Sequence, residues 1–155
     1  MDLKFMQKAI RVSQQMMRAG KGGPFGAVVV RNGKIIATGH NQVTSTNDPT
    51  AHAEIVAIRQ ACKRLGTFEL KDCELYTSCE PCPMCLSAIY WARIKKIYFA
   101  NTRQDAAKIG FDDNFIYEEI PLPLKKRKIV MKQLMRKEAL LAFNEWQSKA
   151  DKILY

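Results

Sequence analysis

The sequence predicts an α/β fold: a three-layer α/β/α sandwich around a mixed, five-stranded sheet. Three features carry that expectation. An amphipathic helix opens the chain, an Asn-Gly hairpin joins two β-rich runs, and short β-rich runs then alternate with helical ones.

The elements follow in order. Residues 3–18 place Leu3, Met6, Ile10, Ser13 and Met17 at helical spacing, with Lys4, Lys8 and Arg11 on other faces. Asp2 reads as the N-cap and Gly20 as the stop, and Gly22-Gly23-Pro24 breaks the chain. Residues 26–30 and 34–38 read as strands flanking Arg31-Asn32-Gly33, since Asn-Gly is a strong short hairpin signal. A polar loop runs from His40 to Thr50, and Asp48-Pro49-Thr50 reads as the entry to a helix that carries Ile55, Ile58, Ala61 and Cys62 on one side and stops near Gly66. A strand over 74–78 leads to a helix opened by Pro81, with Met84, Leu86, Ala88, Ile89 and Trp91 as its apolar residues. Residues 94–100 form the fourth expected strand. A mobile stretch, a helix over 111–120, a basic fifth strand near 129–134 and a last helix over 137–149 complete the order.

Length and composition bound what such a chain does. At 155 residues and 47% hydrophobic, it fits one domain with a real core. Its longest aliphatic run, Ala27-Val28-Val29-Val30, is far below the ~20 residues that span a bilayer, and Met1-Asp2-Leu3-Lys4 lacks a secretory layout. The expectation is a cytoplasmic protein that does not engage membranes. Five cysteines without an export signal argue for free thiols, and clustering of Cys79, Cys82 and Cys85 points to metal. The net charge of +10 raises the question of an anionic partner. Between Pro121 and Lys137 lie Lys125, Lys126, Arg127, Lys128, Lys132, Arg136 and Lys137 with no acidic residue. That stretch reads as a solvated basic face ahead of a nucleic-acid site.

The metal chemistry rests on two segments. His52-Ala53-Glu54 opens one helix and Pro81-Cys82-Pro83-Met84-Cys85 opens another. Two thiols three residues apart stack on one helix face, and the first turn offers a helix-dipole field that favours thiolate. Pro81 suits that turn because its missing N–H needs no partner there. An imidazole and two thiolates suit zinc. Three protein ligands leave the fourth tetrahedral corner to water, which marks a catalytic site, and bound zinc brings that water's pKa to about 7. A structural site would recruit a fourth donor, for which only Cys79 or His40 is at hand. Cys79 precedes the helix, so its side chain should diverge. Glu54, two residues past His52, is displaced from the ligand face and can lean over the open corner as a proton carrier. The blander alternative for a carboxylate at a helix start is a favourable dipole contact.

The chain resembles the cytidine deaminase superfamily, for which His-x-Glu followed by Pro-Cys-x-x-Cys is a signature. Within it, the bacterial guanine deaminases are the most similar branch. The matching stretches are residues 22–27, 47–54, 76–85 and 110–117, together with the terminal Tyr155. The run Phe111-Asp112-Asp113-Asn114-Phe115-Ile116-Tyr117 is the one that discriminates among branches. The resemblance implies hydrolysis of guanine to xanthine and ammonia, with guanosine or another aminopurine as the alternative. It implies one Zn2+ per subunit on His52, Cys82 and Cys85 with water as the fourth ligand, and Glu54 as proton shuttle. It further implies that Asn41 bonds the ring edge, that Phe25, Trp91 and Tyr155 line the pocket, and that Asp113 serves as a second acid near the leaving amine. Read alone, Asp112 and Asp113 serve equally well as a helix N-cap pair. The resemblance also implies a homodimer in which the segment from about 137 to 155 is exchanged, anchored by Phe143, Trp146, Ile153 and Leu154. The basic run at Lys125–Lys128 departs from that branch. A tRNA adenosine deaminase is the rival within the superfamily, and a non-catalytic nucleic-acid or metal-binding module the rival outside it.

Overall fold

The computed structural model describes residues 2–154. The chain divides into two compact units, Met1–Asp113 and Asn114–Tyr155.

The first unit opens with α1 (Leu3–Arg18), whose N-cap Asp2 accepts a hydrogen bond from the Lys4 amide. Strands β1 (Gly26–Arg31) and β2 (Lys34–His40) form the expected hairpin. Its turn residues Asn32 and Gly33 take φ of 51° and 69°, the left-handed pair of a type I′ turn. The polar loop holds an unanticipated single turn, α2 (Val43–Thr46). Next come α3 (Ala53–Leu65), β3 (Cys73–Cys79), α4 (Pro83–Trp91) and β4 (Lys96–Asn101). The unit closes with α5 (Arg103–Lys108), where the sequence suggested only a mobile stretch. A capping box explains that helix: Thr102 and Asp105 each hydrogen-bond the other's backbone N–H.

The sheet runs in the order β2-β1-β3-β4. Both pairs involving β1 are antiparallel, and β3 and β4 are parallel. Side chains alternate across it. Ala27, Val29 and Leu75 meet Ala53, Ala57 and Ile58 of α3 and Ile89 of α4. Val28, Val30 and Tyr76 meet Phe5 and Ala9 of α1 on the opposite face. The three layers and the mixed sheet are therefore as expected. Gly39 allows the closest approach between layers, since a Cβ there would stand 2.1 Å from the Ala53 carbonyl oxygen.

One expectation requires correction. The sheet has four strands among the described residues, not five, because residues 129–134 form no strand. Ile129, Val130 and Leu134 are 77%, 77% and 80% exposed. β-Propensity gives only a capacity to pair, and the backbone at 129–134 pairs with no strand among the described residues.

The second unit comprises α6 (Asn114–Glu119), a 3-10 turn (Leu124–Lys126) and α7 (Arg136–Ser148). Arg127 ties its loop together through the carbonyls of Leu122 (3.0 Å) and Ile120 (2.7 Å), while the Lys128 amide donates to Glu119 (2.8 Å). None of its described residues is buried. Among the described residues, no helix is long and apolar enough to cross a membrane.

Candidate metal centre

The site lies along one edge of the sheet. Register pairs Gly26 with His40, Ala27 with Thr77 and Cys79 with Asn101, so Phe25, Asn41 and Glu80 all leave the sheet on the same side. Parallel βαβ architecture places ligand sites at that edge, where helices begin.

Two helices begin there with the same device. His52 is the N-cap of α3 and Cys82 the N-cap of α4, and neither side chain makes a capping hydrogen bond. An N-cap side chain ordinarily satisfies its own helix. These two are free to face each other instead. The approach to His52 is stiff, because Asp48 accepts from the Thr50 amide (2.8 Å) and hydroxyl (2.7 Å) and the Gln42 amide donates to the Ala51 carbonyl (2.9 Å). Asp48 thus closes a turn before the helix, which starts at Ala53. Pro83 occupies the first turn of α4, and Cys85 lies one turn in, fully buried.

Among the described residues, the donor atoms of His52, Cys82 and Cys85 lie within 4.8 Å of one another. Both sulphurs stand 3.5 Å from His52 Nδ1. Tetrahedral zinc, with Zn–S of about 2.3 Å and Zn–N of about 2.05 Å, sets sulphur and nitrogen about 3.6 Å apart, so the donor set fits this ion. The three groups already compete for protons. A hydrogen bond from Cys85 brings the Cys82 thiol down to about 4, against its burial and with help from His52. That same bond, with burial and the Glu54 carboxyl, pushes Cys85 upward. Cys79 does not join them. Its sulphur points to the Thr102 carbonyl at 3.6 Å, and burial pushes its thiol up to about 11. His40 stays beside Gln42, 3.5 Å away.

Glu54 projects from the first turn of α3 and is 5% exposed. Its Oε1 accepts a 2.8 Å hydrogen bond from the Thr77 hydroxyl, and its Oε2 lies 3.5 Å from the Cys85 sulphur. Burial raises its pKa, while its own backbone amide and Thr77 hold it back. A buried carboxyl whose ionisation is shifted by its surroundings is a candidate for proton exchange.

Of the remaining expected residues, three gather at this edge. Asn41 is 6% exposed, and its Oδ1 accepts from the amides of Gly23 (3.2 Å) and Val43 (3.3 Å). Gly22, at φ +145°, makes room for it, because a Cβ there would stand 1.9 Å from the Asn41 carbonyl oxygen. Phe25 meets the Phe111 ring edge-on, with centroids 4.9 Å apart and planes at 89°. Asp113 is half-buried, and its carboxyl is raised by burial and then by the nearby Cys82 thiolate. Trp91 is not brought in. It ends α4 at 61% exposure, a helix length from Cys82, with Arg93 above its ring. Tyr155 lies outside the described residues. Two contributors went unrecognised from sequence: Thr77, and Glu80, which accepts from the Arg103 amide at 3.0 Å. Thr77 carries a faint signal, a hydroxyl on the strand face where Cys73 and Leu75 are core.

Comparison with known proteins agrees with this geometry. Residues 1–101 match the family model for the cytidine and deoxycytidylate deaminase zinc-binding region. The chain is 54% identical over 151 residues to the guanine deaminase of Bacillus subtilis, covering 97% of each. It is 45% identical over 96 residues to a tRNA-specific adenosine deaminase of Aquifex aeolicus, covering 62% of this chain and 63% of that one. The X-ray structure of the Bacillus subtilis guanine deaminase superposes with a TM-score of 0.96 at 53% identity, covering 100% of this chain and 99% of that one.

Proposed function

The chain belongs to the zinc-binding cytidine and deoxycytidylate deaminase family, and we propose that it hydrolyses guanine to xanthine and ammonia. One observation carries the chemistry: a buried carboxyl, Glu54, faces a His/Cys/Cys donor set without belonging to it. Guanine as substrate is supported by the 54% identity to a guanine deaminase. It is also supported by the segment from Phe111 to Asp113, which meets Phe25 and feels Cys82.

His52, Cys82 and Cys85 would hold one zinc per subunit with a water as fourth ligand, and the bound ion would make a nucleophile available near pH 7 by lowering that water's pKa to about 7. Everything else falls to the chain. Guanine carries its exocyclic amine on C2, between two ring nitrogens. Attack at C2 moves negative charge onto those nitrogens. Glu54 accepts the proton released by the attacking water and returns it to a ring nitrogen. The amine leaves as ammonia only after gaining a proton, and Asp113, raised by burial, is the second acid that supplies it. As the C2–N bond breaks, the oxygen forms C2=O and gives its remaining proton to Glu54, which offsets the proton Asp113 donated, so guanine and water become xanthine and ammonia. Asn41, with Oδ1 held by two amides, turns its NH2 toward the ring edge. Phe25 walls the pocket.

The working form is a homodimer with the segment from about 137 to 155 exchanged, in which Tyr155 covers the partner's pocket. Support comes from the second unit, which exposes Leu141, Phe143, Trp146, Ile153 and Leu154, more apolar surface than a lone segment keeps in water. The five cysteines are free, which fits a reducing cytoplasm.

The test is ammonia release over a panel of guanine, guanosine, adenine, cytidine and tRNA. Guanine should turn over fastest. Inactivity on every base overturns the reading, and selective action on tRNA replaces it with the adenosine deaminase alternative.

A further inference from the structure

Glu54 is the moving part of the proposed reaction, yet one of its oxygens is already held. Thr77 donates to Oε1 at 2.8 Å, while Oε2 lies 3.5 Å from the Cys85 sulphur, on the donor-set side. Both residues are buried, Thr77 at 1% exposure and Glu54 at 5%. The bond crosses 23 residues of sequence to join α3 to β3. On that face of β3, Cys73 and Leu75 are apolar core, and packing alone would favour valine, which has nearly the shape of threonine. A hydroxyl placed there loses water at a cost unless it finds a partner, and Glu54 is that partner.

We propose that Thr77 is a positioning residue whose hydroxyl fixes the carboxyl plane of Glu54 so that Oε2 faces the metal donors. The inference rests on the reading of Glu54 as proton carrier. The last torsion of a glutamate is broad, so an unanchored carboxyl presents either oxygen or neither. An anchor at Oε1 removes that freedom. The anchor itself is rigid, because Thr77 is β-branched and its strand pairs on both sides, with Ala27 and with Phe99.

The experiment compares Thr77→Val, Thr77→Ser and Thr77→Ala in the zinc-loaded protein. Thr77→Val should lower kcat on guanine by about tenfold to a hundredfold, the effect of losing a hydrogen bond to a charged group, with KM and zinc content unchanged. Thr77→Ser keeps the hydroxyl and should restore kcat. If Thr77→Val does not fold, the ratio of Thr77→Ser to Thr77→Ala isolates the hydroxyl. A second readout does not need turnover: the infrared carboxyl band of Glu54, assigned by its loss in Glu54→Gln, should shift in Thr77→Val and not in Thr77→Ser. Wild-type kcat in Thr77→Val, a loss that Thr77→Ser fails to rescue, or an unmoved band overturns the role. A wild-type chain inactive on guanine overturns the substrate reading instead, and the infrared band then still decides for Thr77.

Discussion

At the scale of residues, the proposed function separates metal holding from proton carrying. Glu54 touches Cys85 but supplies no donor atom to the cluster. Glu54→Ala should therefore retain stoichiometric zinc by elemental analysis while turnover falls by about a hundredfold to ten-thousandfold. Loss of zinc in that variant would make Glu54 a ligand. Cys82→Ser should lose metal and activity together, because a thiolate pulled down to about 4 becomes a hydroxyl that does not ionise. An active, metal-replete Cys82→Ser protein would remove Cys82 from the set. His52, Glu54, Cys82 and Cys85 were legible in the sequence because each pair lies two or three residues apart and the two pairs together form a known signature, although 30 residues separate His52 from Cys82. Thr77 was not, because its partner is 23 positions away and only the packing of α3 on β3 brings them together.

At the scale of elements, two helices each begin at a residue of the donor set, and their placement against the sheet sets the site's geometry. Gly39 controls the seating of α3 on β2. Gly39→Ala would force a methyl against the Ala53 backbone one residue from His52, so thermal melts should show a loss of about 1–3 kcal/mol, with weakened zinc retention alongside. A melt and zinc content equal to wild type would show that the helix shifts freely and that Gly39 does not set the site. Helices α1, α3 and α4 and the hairpin of the first unit were legible from periodicity, capping residues and Asn-Gly. Helix α5 could have been read from Thr102 and Asp105, whose reciprocal capping stabilises a helix too short for apolar periodicity to reveal. The expected fifth strand fails for a different reason. Strand formation depends on a neighbouring edge, and composition at 129–134 reports only the capacity to pair.

At the scale of the whole molecule, the first unit holds the core and the donor set, while the second exposes apolar and basic side chains. Sedimentation should find a dimer, and deleting Tyr155 should impair turnover without lowering the melting temperature; full activity would remove the covering role. The basic run offers less to a polyanion than its charge suggests, since Arg127 is bound to its own loop. For a protein that binds guanine, KM should stay flat as salt rises, whereas a phosphate-contacting protein loses affinity steeply. The whole reading depends on how the ion is held. X-ray absorption at the zinc edge of the purified protein should find two sulphurs, one imidazole nitrogen and one solvent oxygen around a single zinc. Four protein donors with no solvent, or no zinc at all, would contradict it.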